Sequence, residues 1–377
     1  MTTAAATRPV GAPPAAAAAA APRELPLEFR GTARAYFRVW AVNLCLTLIT
    51  LGVYSAWAKV RKKRYFYSHT VLDGTPFQYL AQPVPILKGR IVAVVLFLIY
   101  YVASHFFTVL MPYVLAAGGA LAPWVLVRSA AFNARYSAYR NMTFAFDAGY
   151  WDAVKAIYVW GLVPVIIVGT AFEWWGQPVY AGAAFGVFGL AFPWWLRRLK
   201  NLIVSHTAFG GRNGTLSVTG TQFFKVYFLA GLVVAGAAML TGFIVAFGVG
   251  IGGAKHSPNA VLGGLLPIYV GYVFAFAFIQ ARISNLVWNH TELGPLRFQS
   301  TLKATGLAKL YITNAIAILV SLGLLIPWAV IRTLKYRADH MQVRAEGDLN
   351  AFRGDEHSAV QATGAEVGEF FDMDLSL

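Results

Sequence analysis

Charge is scarce in this sequence, and negative charge scarcest. There are 16 Asp and Glu against 31 Lys and Arg, and all four together make up only 12% of the chain. Water-soluble domains carry about 25%, so an ordinary soluble globule is excluded. Cysteine is nearly absent: Cys45 stands alone, which rules out an intrachain disulfide and leaves the compartment unreadable from thiol chemistry. Enzyme signatures are missing too. No Gly-x-Ser-x-Gly, His-Glu-x-x-His or phosphate-loop pattern occurs. "GVGIGGAKHS" from Gly248 resembles a phosphate loop only superficially, because it falls in the turn after an apolar run. No catalytic residue, no metal and no cofactor is expected, and the chain reads as non-enzymatic.

Apolar sequence is abundant. Hydrophobic residues reach 58% and the mean hydropathy is +0.57. Residues 91–127 and 226–254 hold no formal charge, 257–281 likewise, and 156–196 only Glu173. Each run reaches the roughly 20 residues that cross a bilayer. The expected fold class is therefore an all-α polytopic membrane protein, built from repeated helical units with short cytoplasmic β-hairpins. Residues 1–24 are mostly Ala, Pro and Thr, and the early segment lacks a cationic start before a Leu-rich core. They predict a disordered leader rather than a cleaved signal. Residues 25–343 form the multi-pass domain and 344–377 an acidic tail. The net charge of +15 is concentrated between the apolar runs, the positive-inside pattern of a membrane protein rather than a nucleic-acid surface.

Aligning the segments that come after the apolar blocks exposes an internal repeat. An aromatic-x-x-x-Arg step occurs at Trp57/Arg61, Trp124/Arg128, Trp194/Arg198, Phe278/Arg282 and Trp328/Arg332. Eight residues after the Arg stands a histidine in four copies: His69, His206, His290 and His340. The copy after Trp124 reads as divergent, with "NMT" at Asn141 and a longer spacer. The first and last copies also match upstream. Asn43 and Asn314 each lie nine residues before Gly52 and Gly323, and "PLEF" at Pro26 pairs with "PLRF" at Pro295. Tryptophan suits the membrane interface, and an Arg one helical turn later reaches phosphates and water. "HTVLDGTPFQY" and "HTAFGGRNGTLSV" then alternate apolar and polar residues around Gly, predicting β-hairpins. Asn213–Gly214 is the strongest turn signal among them.

Six spans pair into three hairpins: 91–110 with 112–131, 154–172 with 178–196, and 226–252 with 260–281. Their outer turns hold only Glu173, and Lys255 with His256, whereas the inner connections are basic and therefore cytoplasmic. The end segments, 39–58 and 310–331, have basic flanks on both sides. Two re-entrant hairpins breaking at Gly52 and Gly323 keep both termini inside. Eight plain spans are the alternative.

"NLCLTLITLGVYSAWAKVRKKRYFYSHTVLDGTPFQY" followed by "PILKGRIVAVVLFLIYY" resembles the YjgN family of bacterial inner-membrane proteins. The resemblance runs from about Leu27 to Met341, and the Gly52–Arg61 stretch is its most specific part. It implies a multi-pass protein of the bacterial inner membrane with unassigned activity, and brings no catalytic residues.

Several positions are candidates for function. The four histidines could converge on a metal or simply bond a carbonyl where each helix ends. Arg61, Arg128, Arg198, Arg282 and Arg332 could contact anionic headgroups of the lipid bilayer or only set orientation. Asn43, Thr47, Thr50, Asn314 and Ser321 are polar at membrane depth, either along a pathway or in helix–helix hydrogen bonds. Asn43 and Asn314, at matched places, are expected to face each other or a shared cavity. Glu173 is read as structural. From Arg344 onward eight acids and two arginines give a net charge of −6, suited to a solvated tail, a lid over the basic face, or a protein partner. The leading reading is a structural or regulatory membrane protein that senses lipid or scaffolds partners. The alternative is a transporter or channel for a small solute.

Overall fold

The computed structural model describes residues 23–162, 178–252 and 258–346. Expectations for the leader's first 22 residues, Glu173, Lys255, His256 and the tail beyond Glu346 lie outside them.

Two short strands open the described chain, β1 (Arg23–Leu25) and β2 (Leu27–Phe29). Five units come next, each a pair of helices feeding into strands. The first has α1 (Ala33–Ile49), α2 (Ser55–His69), β3 (Thr70–Leu72), β4 (Thr75–Pro76) and β5 (Gln78–Tyr79). The second has α3 (Pro83–Phe106), α4 (Met111–Tyr136), β6 (Ser137–Tyr139) and β7 (Met142–Phe146). In the third, α5 (Tyr150–Val154) runs on as a π-helical stretch, Lys155–Leu162, and α6 (Pro178–His206) leads to β8 (Thr207–Phe209) and β9 (Arg212–Leu216). The fourth has α7 (Gly220–Gly252), α8 (Pro258–Asn289), β10 (Thr291–Leu293) and β11 (Leu296–Ser300). The fifth has α9 (Ala304–Val320), α10 (Ile326–Asp339) and β12 (Met341–Ala345).

The molecule is not all-α, and that expectation is corrected. The hairpins do not stand apart. They pair edge to edge into one antiparallel sheet of nine strands, ordered β1-β12-β11-β10-β9-β8-β7-β6-β5, beside a three-stranded sheet β2-β3-β4. The reason is physical. A lone two-stranded hairpin leaves two edges of unpaired N–H and C=O groups and is marginal in water. Five hairpins side by side satisfy one another.

The two sheets also join. Only Pro26 separates β1 from β2, and only Phe77 separates β4 from β5. β1 pairs with β12 in register Leu25↔Val343, and β2 pairs with β3 in register Leu27↔Leu72. The N-terminal segment is thus the second strand of the fifth hairpin, and the strands close into a ring. The third residue after each of His69, Tyr136, His206, His290 and His340 faces its centre: Leu72, Tyr139, Phe209, Leu293 and Val343 form one buried cluster with Leu25 and Leu296.

The second copy is regular, not divergent. α4 ends at Tyr136, which occupies the histidine position, and Arg140–Asn141 is the hairpin turn, with φ of 50° and 61°. The turn after β8 is Gly210–Gly211, with φ of 57° and 73°, while Asn213 and Gly214 lie within β9. Two glycines in tandem meet the positive-φ demand of a type I′ turn more cheaply than Asn-Gly two residues later. Gly214 serves a different end: a Cβ there would lie 2.5 Å from the Val204 carbonyl oxygen.

The helices form a ring above the strands. α2 packs on α3, α4 on α5, α6 on α7, α8 on α9, and α10 back on α1. The fourth residue after each helix cap points into these joints. Tyr36, Ile86, Ala153, Phe223 and Leu307 are each at most 3% exposed. Among the described residues four stretches are long and apolar enough to cross a bilayer: Pro83–Phe106, Thr108–Tyr136, Gly220–Phe247 and Leu265–Asn289.

The two end segments are helical hairpins rather than straight spans. α1 has 17 residues and α9 has 17, about 25 Å at 1.5 Å per residue, of which the first turns lie at the level of the basic residues. Each hairpin returns to the strands: Arg30 N–H donates to the His69 carbonyl at 2.8 Å, and Thr301 N–H to the His340 carbonyl at 2.9 Å. The breaks fall at Leu51–Gly52 (φ 49° and 93°) and Leu322–Gly323 (φ 49° and 90°). Leu51 and Leu322 are 95% and 94% exposed at the tips.

Candidate functional site

The helix ends make a repeated cap. The Nδ1–H of His69, His206, His290 and His340 donates to the carbonyl four residues earlier, at 2.7, 2.9, 2.9 and 2.8 Å. Hydroxyls of Thr70, Ser137, Thr207 and Thr291 do the same at the next position, at 2.9, 2.7, 2.7 and 2.7 Å. These bonds satisfy carbonyls that a helix end leaves orphaned. Among the described residues no three of His, Cys, Asp and Glu gather as metal ligands.

The two asparagines each clasp their own hairpin. Asn43 Nδ2 donates to the Ala58 carbonyl at 3.3 Å, and Asn314 Nδ2 to the Ala329 carbonyl at 3.3 Å. Both are buried, at 8% and 7% exposure. The bonds link the same relative positions, fifteen residues apart, so each amide ties an ascending helix to the descending one. Nearer the tips, Thr50 Oγ1 accepts from Tyr54 N–H at 2.9 Å and Ser321 Oγ from Leu325 N–H at 3.0 Å. The Thr47 carbonyl accepts from Gly52 N–H at 2.8 Å. These groups close the turns.

The hairpins differ in one respect. In the fifth unit, Arg332 Nη1 donates to Thr313 Oγ1 at 2.6 Å and to Asn314 Oδ1 at 3.1 Å. In the first unit Val42 stands where Thr313 stands, and Asn43 Oδ1 has no protein partner among the described residues.

Arg128, Arg282 and Arg332 each lie over the aromatic one turn before them. Arg128 sits 6.0 Å from the Trp124 ring centre, Arg282 5.6 Å from Phe278 and Arg332 5.1 Å from Trp328. Such cation–π contacts hold the guanidinium against the ring. Arg61 is exposed and Arg198 half-buried.

A second set of cations is not apparent from the sequence motifs. The sixth residue after each ascending helix's cap is Arg38, Lys88, Lys155, Lys225 or Lys309, and all are exposed. The fourth residue is buried in every unit. Two residues turn roughly 200° about a helix, so these cations point away from the packed joints. A spacing signal existed: the last four lie nineteen residues after His69, Tyr136, His206 and His290. It is visible only when Tyr136 is counted as a member.

The geometry is thus a ring of units with two cations each, one per helix, below apolar helices. Residues 24–370 match the family described as a bacterial protein of unknown function, DUF898. The chain is 24% identical over 362 residues to the inner membrane protein YjgN of Salmonella typhimurium, covering 86% of this chain and 89% of that protein. It is 36% identical over 83 residues to the inner membrane protein YjgN of Escherichia coli, covering 22% of this chain and 19% of that one. No solved structure matches. The chain therefore belongs to the DUF898, or YjgN, family of bacterial inner-membrane proteins.

Proposed function

We propose that the protein is a non-catalytic membrane scaffold that gathers anionic lipid headgroups around its β-ring, on the cytoplasmic side. The observation that carries this is the ring of five outward cations, Arg38, Lys88, Lys155, Lys225 and Lys309, one per unit at one repeat position. Orientation alone requires basic loops, not a fixed helical position. A cation near an anionic surface contributes about 1 kcal/mol, so five in a ring hold a lipid annulus together. The arginines Arg61, Arg128, Arg198, Arg282 and Arg332 add a second cation to each unit. The polar side chains at membrane depth favour a structural reading over a transport one, because Asn43, Asn314, Thr50 and Ser321 are bonded within their own hairpins.

The test is lipid retention. Full-length protein is placed in nanodiscs of mixed phosphatidylglycerol and phosphatidylcholine, then released for native mass spectrometry. Replacing all five ring cations by Gln is expected to abolish the enrichment of phosphatidylglycerol. Unchanged enrichment overturns the proposal.

A further inference from the structure

Resting on the lipid-belt reading, we propose that the fifth unit holds one phosphate group at a built site between Lys309 and Arg332, the phosphate being that of an anionic phospholipid headgroup. Lys309 and the Thr313 that Arg332 bonds stand one turn apart on one face of α9. Thr313 Oγ1 accepts from Arg332 Nη1 at 2.6 Å. The Asn314 Oδ1 contact at 3.1 Å and the Trp328 ring at 5.1 Å hold the guanidinium from two further sides. Nη1 is thereby occupied. The N–H donors on Nε and Nη2 make no bond to the protein among the described residues, and Lys309, whose carbonyl accepts from the same Thr313 hydroxyl at 2.8 Å, is exposed. A planar guanidinium fixed in this way suits two-point recognition of phosphate oxygens, with the ammonium as a second charge. Trp328, 37% exposed at the same level, offers an apolar face to the glycerol and upper acyl carbons.

The first unit is the natural contrast. It has the cation pair Arg38 and Arg61, but Val42 replaces Thr313 and Arg61 is exposed rather than held. A fixed guanidinium loses less side-chain entropy on binding than a free one. The fifth unit should therefore keep its lipid when the others exchange theirs.

The experiment is native mass spectrometry of full-length protein from mixed phosphatidylglycerol–phosphatidylcholine nanodiscs, reading the phosphatidylglycerol that survives collisional activation. Lys309→Gln and Arg332→Gln are each expected to weaken retention of one lipid by about tenfold, the loss of one charge-assisted contact. Lys88→Gln, in the second unit, should leave that lipid in place. Lys309→Gln also guards against misfolding, since it disturbs no internal bond that Arg332 makes. A parallel arm offers inorganic phosphate to lipid-stripped protein in detergent. If phosphate alone binds with the same dependence on Lys309 and Arg332 and no lipid is retained, the headgroup assignment is overturned in favour of a free anion. If every cation variant lowers retention equally, the fifth-unit site is overturned and the belt survives. If no variant changes retention, both fall.

Discussion

Asn43 and Asn314 stand at equivalent places yet carry unequal burdens. Asn314 donates to the Ala329 carbonyl and to Thr333 Oγ1 at 3.1 Å, and accepts from Arg332. Asn43 makes one bond, to Ala58, and leaves Oδ1 unpaired. Asn314→Leu should therefore cost about 2–3 kcal/mol, because it removes two donated bonds and one of the two acceptors of a charged donor, while Asn43→Leu should cost about 1 kcal/mol or less. Thermal unfolding of the two variants in one detergent checks the order, and equal losses would contradict it. Tyr139 gives a pH test outside the bilayer. Burial pushes its hydroxyl above the ordinary phenol range, with Arg140 pulling the other way, and the hydroxyl donates to the Leu72 carbonyl at 3.0 Å. A folded pKa above the unfolded one means this stabilisation is complete below the unfolded value near 10 and is lost as pH rises through the folded value. Near-ultraviolet dichroism should thus hold steady at neutral pH and change only in alkali. Tyr139→Phe should lessen that alkaline change.

At the scale of elements, the close contacts of strand on helix set the limits. β9 runs so near the end of α6 that Gly214 faces the Val204 backbone directly. Gly214→Ala has no flexible neighbour to displace, so it should push β9 off α6 and cost about 2–3 kcal/mol. Loss of folded yield on size exclusion, with Gly74→Ala as a comparison, measures it. Gly74 has open space around it but a φ of 74°, so its Ala variant should lose only about 1 kcal/mol, through backbone strain. The hairpin tips show the reverse preference: Leu51 and Leu322 accept a left-handed φ of 49° where glycine would be easier. Burial of such a side chain in lipid would offset strain of order 1 kcal/mol.

For the whole molecule, closure is the decisive property. β1 and β2 reach across the chain to β12 and β3, and Arg344 Nη2 meets Glu24 Oε1 at 3.0 Å across the first of these seams. Deleting residues 1–30 should leave β3 and β12 with bare edges, and such edges recruit other chains. The deletion variant should elute as aggregate while the intact chain does not. The seam itself can be stapled. Glu24 and Arg344 are direct cross-strand partners, so Glu24→Cys with Arg344→Cys, in a Cys45→Ser background, should form a disulfide on mild oxidation. Failure to cross-link would mean that the ring is open.

The amino-acid sequence by itself determined the membrane character, the basic face and the existence of a repeat. Hydropathy and charge are sums over neighbouring residues, and the Trp57–Arg61 and Asn43–Gly52 spacings each lie within one helix or one helix and the turn that ends it. The breaks at Gly52 and Gly323 were legible for the same reason. What only the tertiary structure decided is the ring. Pairing of β1 with β12 joins residues more than three hundred positions apart, and no local pattern encodes it. Three-residue strands such as Thr70–Leu72 are too short to announce a sheet, so they read as isolated hairpins until their edges found one another. The partners of Asn43 and Asn314 were equally hidden. Matched spacing showed that the two amides are equivalent, but only the fold of each hairpin fixed that each turns inward to its own descending helix. A buried amide takes the nearest carbonyl that frees it from desolvation, and which carbonyl is nearest is a property of packing.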